Sequence, residues 1–179
     1  MIRHSRNLFI VEGEIEENFI EQLQSEQIAV LGRIFKFNLM QKKIKITDSI
    51  TDKKYDKIFC VLDTDKIETN TFDTLKNNLK MLKFSGPIFL CIQNKNFEDE
   101  LLTLFECNSF SKLCTLLGIK NHTKEDLKAF ITKKHFIHKF TSDNIKNYCS
   151  RYSEFSSMLI DNGINAKCVT ATIFLKLHK

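Results

Sequence analysis

Lys57-Ile58-Phe59-Cys60-Val61-Leu62 runs straight into Asp63-Thr64-Asp65, and this junction decides the fold. A short, unbroken apolar run that ends at polar residues predicts a strand buried on both faces of a sheet. Two more runs of this kind stand either side of it. Leu8-Phe9-Ile10-Val11 ends at Glu12-Gly13, and Ile88-Phe89-Leu90-Cys91-Ile92 opens into Gln93-Asn94-Lys95-Asn96. Each run is followed by apolar residues at helical spacing: Ile15, Phe19, Ile20 and Leu23 after the first, Phe72, Leu75, Leu79 and Leu82 after the second, and Phe97, Leu101, Leu102, Leu104 and Phe105 after the third. Gly86-Pro87 stops the second of these helices. Buried strands alternating with amphipathic helices predict an α/β fold, a parallel sheet covered on both sides.

The remaining segments are less regular. Residues 28–46 carry Ile34, Phe35, Phe37, Leu39, Ile44 and Ile46 in partial alternation, which predicts one strand and a second after it. Beyond the third strand and its helix the pattern is helical: Phe110 to Leu117 ending at Gly118, a segment capped by Thr123, and another from near Ser142 to near Gly163. The expected organisation is therefore a sheet-bearing domain over 1–111 and a helical, basic extension over 112–179 packed on it.

With 179 residues, 42% of them hydrophobic, five Gly and one Pro, the composition is that of a globular domain rather than a disordered chain. No apolar run approaches the ~20 residues of a membrane span, and Met1-Ile2-Arg3-His4-Ser5-Arg6 lacks a signal-peptide pattern, so a cytoplasmic protein without a membrane partner is expected. The six Cys contain no C-x-x-C and lie mostly in apolar stretches, which favours buried reduced thiols over three disulfides. Net charge is +5, unevenly spread: residues 1–111 hold 15 Lys and Arg against 17 Asp and Glu, a net of −2, while residues 112–179 hold 12 against 5, a net of +7. An acidic body joined to a basic part suggests a metal-binding or catalytic centre beside a polyanion-contacting surface, the alternative being a solvated lysine-rich face.

Parallel strands deliver their C-terminal ends to one edge, where open sheets of this class bind ligands. The residues there are Glu12, then Asp63 and Asp65, then Asn94 and Glu98. Asp63 and Asp65 are two apart, so in an extended chain they point the same way and both approach one cation. Hard oxygen ligands suit Mg2+ or Mn2+, which can offset the charge of a phosphodiester and activate a water. Against this stand local roles: Glu12 as the start of a helix, Asp63 and Asp65 as turn formers, Glu98 as a helix N-terminal acid or plain surface residue, Asn94 as a cap.

The combination of a buried strand ending in Val11-Glu12-Gly13, a helix, and a later buried strand ending in Asp63-Thr64-Asp65 resembles the Toprim domain, a Rossmannoid fold. Within it the chain is most similar to the RloB-like family of bacterial defence-associated proteins. Val11-Glu12-Gly13-Glu14, Glu16-Glu17-Asn18-Phe19 and Gln93-Asn94-Lys95-Asn96-Phe97-Glu98 with Leu101-Leu102 carry that resemblance, which spans residues 7–106. It implies Glu12 as an acid that also serves in proton transfer, Asp63 and Asp65 as a metal-binding pair, and Glu98 as a further ligand for Mg2+ or Mn2+. The implied activity is a divalent-metal-dependent nuclease acting on DNA or RNA in anti-phage defence. Two departures qualify it. Lys66 stands where a further acid is common, and Gln93 and Lys95 replace a Ser and a Pro. Either lysine would neutralise a carboxylate or hold a phosphate. The alternatives are a non-catalytic module that binds nucleic acid or a companion ATPase, and a small ribosomal-RNA maturase.

Lys133-Lys134-His135-Phe136-Ile137-His138-Lys139 places two His three apart, but the neighbourhood lacks further zinc ligands, so a basic patch is the expected role. Lys133, Lys134 and Lys139, with Lys66 and Lys95, are the candidate contacts to nucleic acid, and Phe136 and Phe140 would either stack on a base or join the core. Gly13, Gly32, Gly86, Gly118 and Gly163 stand alone, so there is no phosphate loop and no intrinsic ATPase, and no nucleophile-elbow motif supports a hydrolase triad.

Overall fold

The computed structural model describes residues 6–45, 49–51, 53–68, 70–93, 95–133, 136–150 and 153–176. Its strands are β1 (Asn7–Val11), β2 (Gly32–Lys36), β3 (Lys57–Leu62), β4 (Ile88–Ile92) and β5 (Lys167–Cys168). Its helices are α1 (Glu14–Ser25), α2 (Thr71–Leu82), α3 (Phe97–Leu104), α4 (Phe110–Leu117), α5 (Lys124–Ile131), α6 (Ser142–Lys146) and α7 (Ser153–Asp161). The strands form one sheet in the order β2-β1-β3-β4-β5, every neighbouring pair parallel.

Alternation along each strand builds two cores, as the doubly buried runs require. Phe9, Val11, Phe59, Val61 and Cys91 face one side, where α1, α3, α4, α5 and α6 cover them. Leu8, Ile10, Ile58, Cys60, Leu62, Leu90 and Ile92 face the other, under α2 and α7. The α/β architecture with helices on both faces is as expected. Phe19 anchors the first core, its ring centroid 5.0 Å from Phe97, 5.1 Å from Tyr148 and 5.5 Å from Phe140. Phe136 and Phe140 therefore turn inward, their rings 5.0 Å apart, and do not offer a stacking surface.

Three expectations need correction. Residues 28–46 give a single strand among the described residues, β2, with Ile46 outside them. The chain then turns because the Asn38 side-chain oxygen accepts from the backbone N–H groups of Met40 and Gln41, both at 3.0 Å, so Leu39, Met40 and Ile44 enter the second core from a turn. The helix expected from Ser142 to Gly163 is two helices. Cys149, at φ 58°, gives its backbone N–H to the buried Glu100 carboxylate at 2.6 Å, which breaks the helical ladder. Finally, the part read as wholly helical also supplies β5, pairing Lys167 with Phe89 and Cys168 with Leu90.

Other local signals are as expected. Gly118 ends α4 in the left-handed region at φ 75°, and Thr123 caps α5 by accepting from the Asp126 N–H. All six Cys are free thiols. Among the described residues no helix is long and apolar enough to cross a membrane.

The N-terminal edge of the sheet depends on one close approach. Tyr55 N–H donates to Ser85 O at 2.7 Å and Ile58 N–H to Pro87 O at 2.8 Å, so a Cβ on Gly86 would lie 2.5 Å from the Tyr55 carbonyl oxygen. Gly86→Ala should cost about 2 kcal/mol by forcing paired backbones apart, read as a lower urea midpoint at unchanged slope. An unchanged midpoint would mean this edge yields freely.

Candidate functional site

Register brings the strand ends level. Ile10 stands opposite Cys60 and Leu62 opposite Ile92, so Glu12, Asp63 and Gln93 leave adjacent strands within about one residue of the same height. Thr64 ties the loops after β3 and β4 together. Its N–H donates to Lys95 O, its hydroxyl donates to Gln93 O at 3.1 Å, and that hydroxyl's own oxygen accepts from Lys95 N–H at 3.0 Å. Lys95 adopts φ 63° to do so.

Glu12 steps off β1 half-buried, and the Asn38 side-chain amide donates to its Oε1. Because the Asn38 oxygen already holds two backbone N–H groups, its NH2 is aimed at Glu12. Burial raises the Glu12 pKa, and Asp65 raises it further, while a hydrogen bond from the Asp63 backbone and the nearby Lys66 charge pull it back. Asp63 is perturbed more strongly. Burial, then the charges of Glu16, Glu12, Asp65 and Glu98, push its carboxyl up to about 9. Its Oδ1 is buried with no hydrogen-bond partner. Asp65, past the end of the strand, is exposed at the rim, so the pair expected to point together is split between floor and edge.

Glu16 joins them from the first turn of α1. It is buried, accepts from the Gly13 N–H at 3.1 Å, and has its pKa raised to about 7, chiefly by burial and further by Glu12 and Glu98. Glu98 comes from the first turn of α3, a helix capped by Asn96, whose side chain accepts from Asp99 N–H. Asn94, the cap expected from sequence, lies outside the described residues.

These acids form one side of a cleft of about 620 Å³. The other side is α5, which contributes Lys124, Lys128, Ala129 and Thr132. Lys124, Lys128 and Thr132 are four apart and share a face, and Lys128 Nζ lies 3.5 Å from Glu98 Oε1. A buried amide holds α5 here: Gln22 of α1 donates to Ile131 O at 3.0 Å and accepts the Ile137 N–H at 3.3 Å.

Glu12, Asp63, Asp65 and Glu98 thus line one cleft, with Asp63 and Asp65 split between its floor and its rim, and Glu16, Asn38, Lys124 and Lys128 are additions. Of the lysines chosen from sequence, Lys66 is close enough to Glu12 to lower its pKa. Lys95 is exposed beside the cleft, through the Thr64 tie. Lys133 is exposed, its Nζ 5.8 Å from the Phe130 ring centre. Lys139 lines a separate hollow with Phe105 and Leu117. Lys134 and His135 lie outside the described residues, and His138 Nε2 is 3.7 Å from Glu26.

So many carboxylates in one poorly solvated cleft cannot all stay ionised alone; they must hold protons, pair with lysines or take up a cation. Among the described residues no three His, Cys, Asp or Glu side chains are already closed around a common point that would hold an ion. The donor set is nonetheless all hard oxygen, the chemistry Mg2+ and Mn2+ select, and the unpartnered Asp63 Oδ1 is an oxygen still lacking a ligand of its own. Compared with protein-family models, curated proteins and solved structures, the chain finds no match.

Proposed function

We propose that this chain is a Toprim-type nuclease dependent on Mg2+ or Mn2+, of the RloB-like kind and acting in defence against foreign nucleic acid. One observation carries the reading: Glu12, Asp63, Asp65 and Glu98, far apart in sequence, line one cleft at the C-terminal edge of a parallel sheet, with Asp63 Oδ1 unpartnered inside it. The motif resemblance supplies the family and the biological setting.

In this reading Asp63, on the floor of the cleft, and Asp65, at its rim, would hold the cation, and Glu98, now against Lys128, would be the further ligand. A bound ion would supply charge to offset the phosphodiester oxygens and to acidify a water. Glu12, fixed by Asn38, would hold or move a proton at its carboxylate. Lys124 and Lys128 face the acids across the cleft and attract the phosphate backbone, which bare carboxylates would repel. Lys66 adds to that attraction.

The Lys128–Glu98 contact and the proximity of Lys66 to Glu12 favour a second reading, a module whose lysines already compensate its acids and which binds nucleic acid or a companion ATPase without cleaving. The deciding experiment pairs calorimetric titration with Mn2+ and incubation with labelled single- and double-stranded DNA and RNA. Heat on titration, and cleavage that EDTA stops, are the expected results. Neither heat nor cleavage at millimolar metal would select the module, and cleavage confined to a structured ribosomal-RNA precursor would select a maturase.

A further inference from the structure

A second charged concavity lies on the opposite edge of the sheet, at the start of β4 and β5 and about one strand length, ~15 Å, from the acidic cleft. Its volume is about 410 Å³, and Lys76, Lys80, Lys83 and Lys167 line it over a floor that includes Leu79, Pro87 and Ile164. Among the described residues no carboxylate lines it and none of these four lysines forms an ion pair with one. Lys76 Nζ instead donates to Asn162 O at 3.2 Å, and Lys167 Nζ sits 5.4 Å from the centre of the Phe89 ring.

Two ordinary explanations fall short. Lysines near the C-terminal end of α2 suit the helix dipole, but Lys167 comes from β5, and Lys54, whose ammonium donates to Phe84 O, comes from the segment before β3. The α2 lysines and Lys167 thus line one concavity with no carboxylate among its described lining residues, while Lys54 reaches the Phe84 carbonyl nearby. Solvated lysines also need no aromatic beside them. Phe84, in the turn that joins Lys83 to the Gly86 and Pro87 wall, is 77% exposed, more than any other large apolar side chain among the described residues. An exposed ring that follows Lys83 directly in the chain, after cations spaced about 6 Å apart or less along a helix, matches a ligand with regularly spaced anionic groups and flat apolar faces.

We propose that this groove binds single-stranded nucleic acid, the lysines contacting successive phosphates and Phe84 stacking on a base. The site is separate from the acidic cleft and does not rest on the cleavage reading. An anionic membrane is the competing occupant; concave shape and a single ring argue against it, since surface binding needs a broad apolar face.

The test is fluorescence anisotropy of labelled oligothymidylate and oligouridylate in EDTA, so that no cleavage step is involved. The wild-type protein should bind both. Lys80→Gln/Lys83→Gln should weaken binding about tenfold and flatten the slope of log affinity against log salt by about 1.4, two contacts at ~0.7 each. Phe84→Ala should weaken it about tenfold with the slope unchanged, as loss of stacking requires. All three positions are exposed, and an unaltered thermal midpoint of each variant checks that the fold is intact. Unchanged affinity and slope would overturn the proposal. So would variants that lose binding to phosphatidylserine vesicles while keeping oligonucleotide binding, which would assign the groove to lipid.

Discussion

Asp63→Asn should raise the thermal midpoint of the metal-free protein at pH 8 and leave it almost unchanged at pH 4. The Asp63 carboxyl is held at about 9 by burial and by the charges of Glu16, Glu12, Asp65 and Glu98, whereas an unfolded Asp titrates near 3.9. A group whose folded pKa is raised keeps its full contribution below the unfolded value and loses it as pH climbs towards the folded one. Each pH unit in that window costs up to about 1.4 kcal/mol, so by pH 8 the accumulated loss is on the order of several kcal/mol. Glu16, raised to about 7, adds a loss of the same sign between pH 4 and 7. Asn keeps the shape of Asp, carries no charge and offers its amide to neighbouring carboxylates, so it escapes the Asp63 share. Differential scanning calorimetry across pH reads the difference directly. A variant less stable than wild type at pH 8 would show that the Asp63 charge is already compensated.

Metal linkage gives the same experiment a second arm. An ion can bind Asp63 only by displacing its proton, so Mn2+ should raise the wild-type midpoint at pH 8, fail to raise that of Asp63→Asn, and release protons on binding. Titrations in buffers of different ionisation enthalpy measure that release.

How much of this was legible in the sequence follows from the range of each signal. The three strands declare themselves because every residue of Leu8–Val11, Ile58–Leu62 and Leu90–Ile92 is buried in a core, and Glu12, Asp63 and Asp65 follow two of them directly. β5 is two residues long and paired by β4 alone, so it carries no period to detect. The break between α6 and α7 depends on Glu100 reaching across 49 positions to Cys149 N–H, which no local pattern records. Lys124 and Lys128 read as surface charges of a short amphipathic helix. They become cleft residues only because Gln22, more than a hundred positions earlier, holds α5 against α1. Glu16 stands out in the sequence only as part of Glu16-Glu17-Asn18-Phe19; in the fold it accepts the Gly13 N–H at the start of α1 while its charge also acts on the cleft acids.

That double role sets the sharpest test of the chemistry. Glu12→Gln should lower metal-dependent cleavage by about a thousandfold or more, because a neutral amide neither balances a cation nor takes up a proton. The fold should survive, since the Gln oxygen still accepts from the Asn38 amide. Glu16→Gln separates two accounts of the buried acid. If Glu16 acts only as a cap, Gln accepts the same Gly13 N–H and cleavage stays within a few fold of wild type. If its charge serves the cleft, the variant should bind Mn2+ more weakly at pH 8, where wild-type Glu16 is ionised. It should bind with less difference at pH 6, where Glu16 is largely protonated at a pKa of about 7. We expect the second outcome, because burial and the charges of Glu12 and Glu98 act on Glu16 from inside the cleft, and a cap alone would sit as well in solvent. Full activity in Glu12→Gln, with Mn2+ still bound, would remove the nuclease reading whatever Glu16 does.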